Sequence, residues 1–134
     1  MYVYDNNGNI VHHFPIATGY NSGQKEKRGD SRTPVGKFSI NSYNPNADSD
    51  YFGHNIHYGL YTPKGENRPA TTGIGIHGDA GNPYSIGTSA SHGCIRCNNS
   101  DLETLDSYLG GKSAIGKQVY ILDEDDKYKF GGKI

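Results

Sequence analysis

The chain has 134 residues, 33% of them hydrophobic, with 19 glycines, 11 tyrosines and two cysteines. This is enough for one domain with a single core but not for two. The net charge of −1, with both signs interspersed, gives no electrostatic footprint for nucleic acid or an anionic membrane. No apolar run approaches the ~20 residues of a membrane-spanning helix.

The apolar mass is largely aromatic and is often interrupted by glycine, which favours many short strands over a helical bundle. The opening "MYVYDNNGN" reads as strand and turn rather than signal peptide. That leaves two readings open, a cytoplasmic protein or a mature domain whose export signal has been removed. "YVYD" and "IVHHFPIATG" flank an Asn/Gly turn and predict a hairpin. His12-His13 reads as plain strand surface. The charged runs at 24–30 and 123–127 read as solvated loops. "TPVG" (33–36) has the chemistry of a type I turn and leads into the strand "KFSI". Residues 43–50 read as loop, and the aromatic stretch "YFGHNIHYGLYT" (51–62) as strand. After a loop at 63–71 comes a short strand, "GIGIH" (73–77), followed by a polar loop over 79–90.

One helix stands out. Ser100-Asp101-Leu102-Glu103 has the S-x-x-E pattern of a capping box, and Leu102, Leu105 and Leu109 follow at helical spacing. Gly110-Gly111 supplies the stop. The strand "KQVYIL" (117–122) closes the pattern. With no repeat or composition break, residues 1–134 read as one mainly β domain, a sandwich or barrel, with one clear α-helix near residues 101–109.

Chemistry-bearing residues gather in "GIGIHGD" and "SASHGCIRCNN". In an extended "GIGIH", Ile74 and Ile76 share one face, and Gly73, Gly75 and His77 the other. The glycines leave space beside the imidazole, which suits a cleft. A thiol with an ordinary pKa of ~8.5 is mostly protonated at neutral pH. A nearby imidazole can activate Cys94 and later protonate a leaving amine. Gly93 lets the backbone approach a carbonyl, and amides of the turn suit an oxyanion hole, worth about 3 kcal/mol per donor. His92 is two residues from Cys94 and His77 is remote. Partners that must meet at a fixed angle usually come from different elements, which favours His77 as base.

These residues resemble the catalytic domain of L,D-transpeptidases, the YkuD family. The resemblance rests on His77, seventeen positions before Cys94, and on Ser91-His92-Gly93-Cys94-Ile95-Arg96. "RTPVGKF" upstream, Asn99 and Asp101 after the cysteine, and the closing "GKQVYI" (116–121) extend it over nearly the whole chain. It implies a mainly β fold and acyl transfer on peptidoglycan stem peptides. Cys94 is then the nucleophile, His77 the base held by a carbonyl near Gly78, and amides around His92, Gly93 and Cys94 the oxyanion hole. Arg96 meets a substrate carboxylate or braces the loop, while Ser91 and His92 shape the site. Tyr51, Phe52, Tyr58 and Tyr61 either line the cleft or pack in the core. The resemblance further implies no metal and no organic cofactor, with a tetrapeptide donor and an amine acceptor as partners. An extracytoplasmic location, in periplasm or cell wall, and a monomer are expected. A family member that trims or reverses such linkages is the alternative.

Where the family more often has a larger apolar residue, this chain has Cys97, either a small buried hydrophobe or a reversible disulfide partner for Cys94. Three rival functions are weaker. "CIRC" has redox spacing but lacks a βαβ context. A zinc hydrolase drawing on His54, His57, His77 and His92, with Asp79 or Cys94, lacks the helix that carries H-E-x-x-H sites. A non-catalytic wall-binding module leaves Cys94, His77 and Gly93 unexplained.

Overall fold

The computed structural model describes residues 1–21, 29–61 and 74–122. Most of the run at 24–30, the loop at 63–71, Gly73 and the acidic stretch from 123 lie outside the described residues. The chain is mainly β. The elements are β1 (Tyr2–Tyr4), β2 (Ile10–His13), β3 (Ile16–Gly19), β4 (Gly36–Asn44), α1 (Ser49–Phe52), β5 (His57–Tyr61), β6 (Gly75–His77), β7 (Ser89–Ser91), β8 (Ile95–Cys97), α2 (Asn99–Leu109) and β9 (Gln118–Ile121). β1 and β2 form a ribbon of their own. The others make one seven-stranded sheet in the order β7-β3-β8-β6-β5-β4-β9, which curls into a half-barrel.

The expected hairpin forms around Asp5, whose carboxylate accepts the amides of Asn7 and Asn9, both at 2.9 Å. Tyr2 and His13 stack across it at 4.6 Å, while His12 rests against Phe14 and Tyr108. β4 is longer than "KFSI" and runs on to Asn44. No turn forms at "TPVG": residues 31–35 pass irregularly into β4, and Gly36 enters it at φ 137°.

The stretch 51–62 is not one strand. Asp48 accepts the amides of Asp50 and Tyr51, opening the single turn α1, and Gly53 closes it at φ 79°. Only His57–Tyr61 is strand. A four-residue turn is too short to show helical periodicity, and its aromatic content favours strand on propensity alone. The loop at 79–90 is likewise partly ordered, by a 3₁₀ turn (Pro83–Ser85) and the start of β7.

α2 begins at Asn99, with Asn98 as a cap that makes no side-chain cap bond, so the Ser100 capping box does not form. Asn99, in the first helical position, instead turns its side chain to the loops around the site. Leu102 and Leu105 are buried as the spacing predicts, and Gly110 stops the helix in the left-handed conformation.

The core lies on one face of the central strands. Phe38, Ile40, Tyr58, Leu60, Ile74, Ile76, Ile95 and Cys97 form it with Leu102 and Leu105 of α2. Full burial of each large side chain contributes about 1.5–3 kcal/mol. Tyr58 is fully buried, and its hydroxyl donates to Asp106 Oδ1 at 2.5 Å. It is a core residue and does not line a cleft.

Candidate active site

The opposite face of the same strands carries polar and small residues, and register sets them in rows. Tyr58 pairs with Ile76 and His77 with Arg96, while Arg96 also pairs with Ala17. One row therefore runs His57, His77, Arg96 across β5, β6 and β8. Ser42 pairs with Gly59 and Gly59 with Gly75, forming a neighbouring row of small residues. Ile76 pairs with Ile95 in the parallel β6–β8 ladder, so one step back along both strands sets Cys94 beside Gly75. The parallel pairing needs a long crossover. That crossover, residues 78–94, returns the chain to the turn at Gly93-Cys94 beside the histidine strand.

His77 is buried at the end of β6. Its Nδ1 lies 2.9 Å from the Gly78 carbonyl oxygen. As a donor to that oxygen, Nδ1 carries the proton and Nε2 is left as the acceptor. Gly78 allows this contact because a Cβ there would meet Asn99 Oδ1 at 2.5 Å and the Phe52 carbonyl at 2.8 Å. Burial lowers the His77 pKa to about 4, opposed by the Gly78 and Phe52 carbonyls and assisted by His57 and Arg96. At neutral pH the imidazole is therefore neutral, as a proton acceptor must be.

The turn before Cys94 is braced from within and from outside. Ser91 is buried, and its hydroxyl accepts the Gly93 amide at 3.1 Å and donates to the Cys94 carbonyl at 2.6 Å. Both bonds serve the turn, which Ser91 braces from within. The Gly93 amide is thereby spent within the turn. Gly93 has φ 132°, open to glycine alone at little cost. From outside, Thr33 Oγ1 accepts the Gly19 amide at 2.7 Å and donates to the Gly93 carbonyl at 2.8 Å. Here "TPVG" acts by anchoring the turn through Thr33.

Cys94 is half-exposed and Cys97 fully buried, and neither is in a disulfide. Residues 95–97 are strand, so the two Cα atoms are about 10 Å apart at ~3.3 Å per residue. A disulfide needs less than about 7 Å. Burial also pushes the Cys97 thiol up to about 12. Cys97 is core packing, and the disulfide reading falls.

The other singled-out residues separate clearly. His92 is exposed, and Arg96 is half-buried with its Nε buried and without a hydrogen-bond partner among the described residues. Tyr51 is exposed on α1 and packs edge-on against Phe52 at 4.8 Å. Tyr61 is exposed at the far end of β5. His54 Nε2 pairs with Glu103 at 3.0 Å, tying the segment after α1 to α2. Among the described residues no three His, Cys, Asp or Glu side chains converge as a ligand set.

Three residues carry more of the site than the sequence reading gave them. Phe52 packs on His77 at 4.9 Å, and its ring also meets His57. Asn99 accepts the Asp79 amide at 3.1 Å and donates to the Gly53 carbonyl at 2.8 Å, joining α2 to both loops beside His77. His57 fills the space predicted to be open: a Cβ on Gly75 would lie 2.5 Å from His57 Cε1 and 2.7 Å from Nε2. The glycine admits a protein ring from the next strand. Asn99 was visible in the motif, whereas the His57 contact depends on register.

Residues 1–121 match the YkuD family, described as the L,D-transpeptidase catalytic domain. No curated protein matches the chain. Among solved structures, it resembles an L,D-transpeptidase from Mycobacterium smegmatis with a TM-score of 0.60 at 17% identity, covering 87% of this chain and 51% of that one. An L,D-transpeptidase from Mycobacterium tuberculosis H37Rv gives 0.57 at 19%, covering 90% and 46%. The helical cell shape determining protein Pgp2 of Campylobacter jejuni gives 0.56 at 25%, covering 78% and 35%. The chain thus spans about half the length of these structures or less. Its match over nearly the whole length places it in the YkuD family of L,D-transpeptidase catalytic domains.

Proposed function

We propose that the chain is a cysteine acyltransferase acting on peptidoglycan stem peptides, with Cys94 as nucleophile and His77 as general base. The observation that carries this reading is the His77 imidazole, buried and neutral, with Nδ1 held by the Gly78 carbonyl one strand from the nucleophile turn. Nε2 takes the Cys94 proton as sulfur attacks the carbonyl of the tetrapeptide's third residue. The tetrahedral oxyanion is met by amides of the turn. The C–N bond to the terminal D-Ala then breaks, and the proton on Nε2 passes to the departing amine. An acceptor amine attacks the thioester in turn, His77 takes its proton, and the Cys94 thiol is restored. Water in place of the amine gives carboxypeptidase activity.

Arg96 supports the donor's negative charge: its half-buried guanidinium shares the histidine row, and its Nε has no partner among the described residues. A carboxylate there would receive a charge-assisted hydrogen bond. A wall substrate calls for action outside the cytoplasm, in periplasm or cell wall. Release of D-Ala from a tetrapeptide tests the proposal. The wild-type protein should release it and Cys94→Ala should not, while release by Cys94→Ala or none by wild type would refute it.

A further inference from the structure

His57 has no part in the chemistry just described, yet several features build a place for it against His77. The two rings lie in one register row, parallel to within 9° and 6.0 Å apart. Phe52 leans on both, with its centroid 4.9 Å from each. Gly75 leaves room for the Cε1–Nε2 edge of His57, which even a methyl group there would strike. Gly59 occupies the next position of the small-residue row. Removal of the His57 ring would therefore leave a gap beside His77 that no side chain of Gly59 or Gly75 could fill. A polar gap of that size admits water.

We propose that His57 is a positioning residue for His77, a planar wall that fixes the orientation of the base and shields it from water. It acts as a ring and not as a proton carrier, which rests on His77 being the base proposed above. The other groups around His77 are Arg96 on β8 and the Phe52 ring and carbonyl at the end of α1, and Cys94 is level with Gly75, two residues back along β6. His54 and Asp79 lie near Gly78 but have other partners, Glu103 and the Gly81 amide. Desolvation also lowers the His57 pKa, so its ring is neutral at neutral pH.

The test is the pH dependence of Cys94 alkylation by iodoacetamide, a small reagent that needs no donor peptide. Its acid limb reports the first proton lost from the Cys94–His77 pair. His57→Ala should move that limb up by about one pH unit, because water stabilises the imidazolium. His57→Phe, which keeps a ring in place, should leave it near the wild-type position. An unmoved limb in His57→Ala would overturn the proposal. So would a limb in His57→Phe shifted as far as in His57→Ala, because the nitrogen and not the ring would then matter. Thermal melting checks that each variant is folded. If His57→Ala does not fold, Gly75→Ala displaces the ring while retaining it and should shift the limb the same way, and no shift there refutes the wall. A wild-type limb unchanged by His77→Gln would instead point to failure of the base assignment, a separate outcome.

Discussion

The two faces of strands β5, β6 and β8 are built from alternate residues of the same short segments, yet they obey different rules. On one face Tyr58, Leu60, Ile74, Ile76, Ile95 and Cys97 are all buried, and the only polar group they bring, the Tyr58 hydroxyl, bonds to Asp106. On the other, His57, Gly59, Gly75, His77 and Arg96 keep polar atoms and omit side chains where rings must fit. The two cysteines give the same contrast within four residues: Cys97 belongs to the first face, and Cys94, just before β8, to the proposed chemistry. Strand alternation thus lets a small domain set a packed core and a reactive site about one strand thickness apart. Packing on the first face holds the second rigid.

Substitutions on the two faces should separate activity from stability. The largest expected effect is from His77→Gln, which should slow D-Ala release about 10²–10⁴-fold, the usual weight of a general base, in steady-state assays. It should also alter the pH dependence of folding. In the wild type His77 titrates near 4 when folded and near its ordinary 6.5 when unfolded. The unfolded chain therefore binds the proton first, and stability falls as the pH drops from 6.5 toward 4. The cost is on the order of 3 kcal/mol from the width of that window. Urea unfolding should show that slope in the wild type and a flatter one in His77→Gln.

Ile76→Ala, one residue away on the core face, should cost about 2–5 kcal/mol in urea unfolding through the cavity it leaves. The folded fraction should still release D-Ala. If Ile76→Ala instead lost activity at full stability, the division between the faces would fail. Thr33→Val tests the outer brace. Gly19 and Gly93 each lose a partner, so stability should fall by about 1–3 kcal/mol. Turnover should fall about tenfold as the nucleophile turn loosens, a small displacement at a reacting group. Unfolding curves and initial rates measured together separate these two losses.

Much of this division could be read in advance, and the exceptions have a common cause. Local signals served well for the hairpin around Asn7-Gly8, the leucine spacing of α2 and its glycine stop. They also gave the alternation that separates Ile74 and Ile76 from His77. What required register remained hidden. Gly75 and His77 share a face as expected, but β5 pairing puts a histidine ring rather than substrate space over the glycine. Thr33 is 60 positions from Gly93, and only the fold shows that its hydroxyl holds the nucleophile turn. The single turn of α1 was hidden for another reason: Asp48 and Gly53 signal its ends, but four residues carry no period.

With Cys94 on the polar face beside the proposed base His77 and Cys97 sealed in the core, the two thiols should differ sharply in reactivity. Peptide mapping of the native protein after brief iodoacetamide treatment at neutral pH tests it directly. The account predicts carboxamidomethylation of Cys94 alone, at least tenfold slower in His77→Gln, with Cys97 modified only after unfolding. Equal labelling of the two thiols in the native protein, or a Cys94 rate unaffected by His77→Gln, would contradict it.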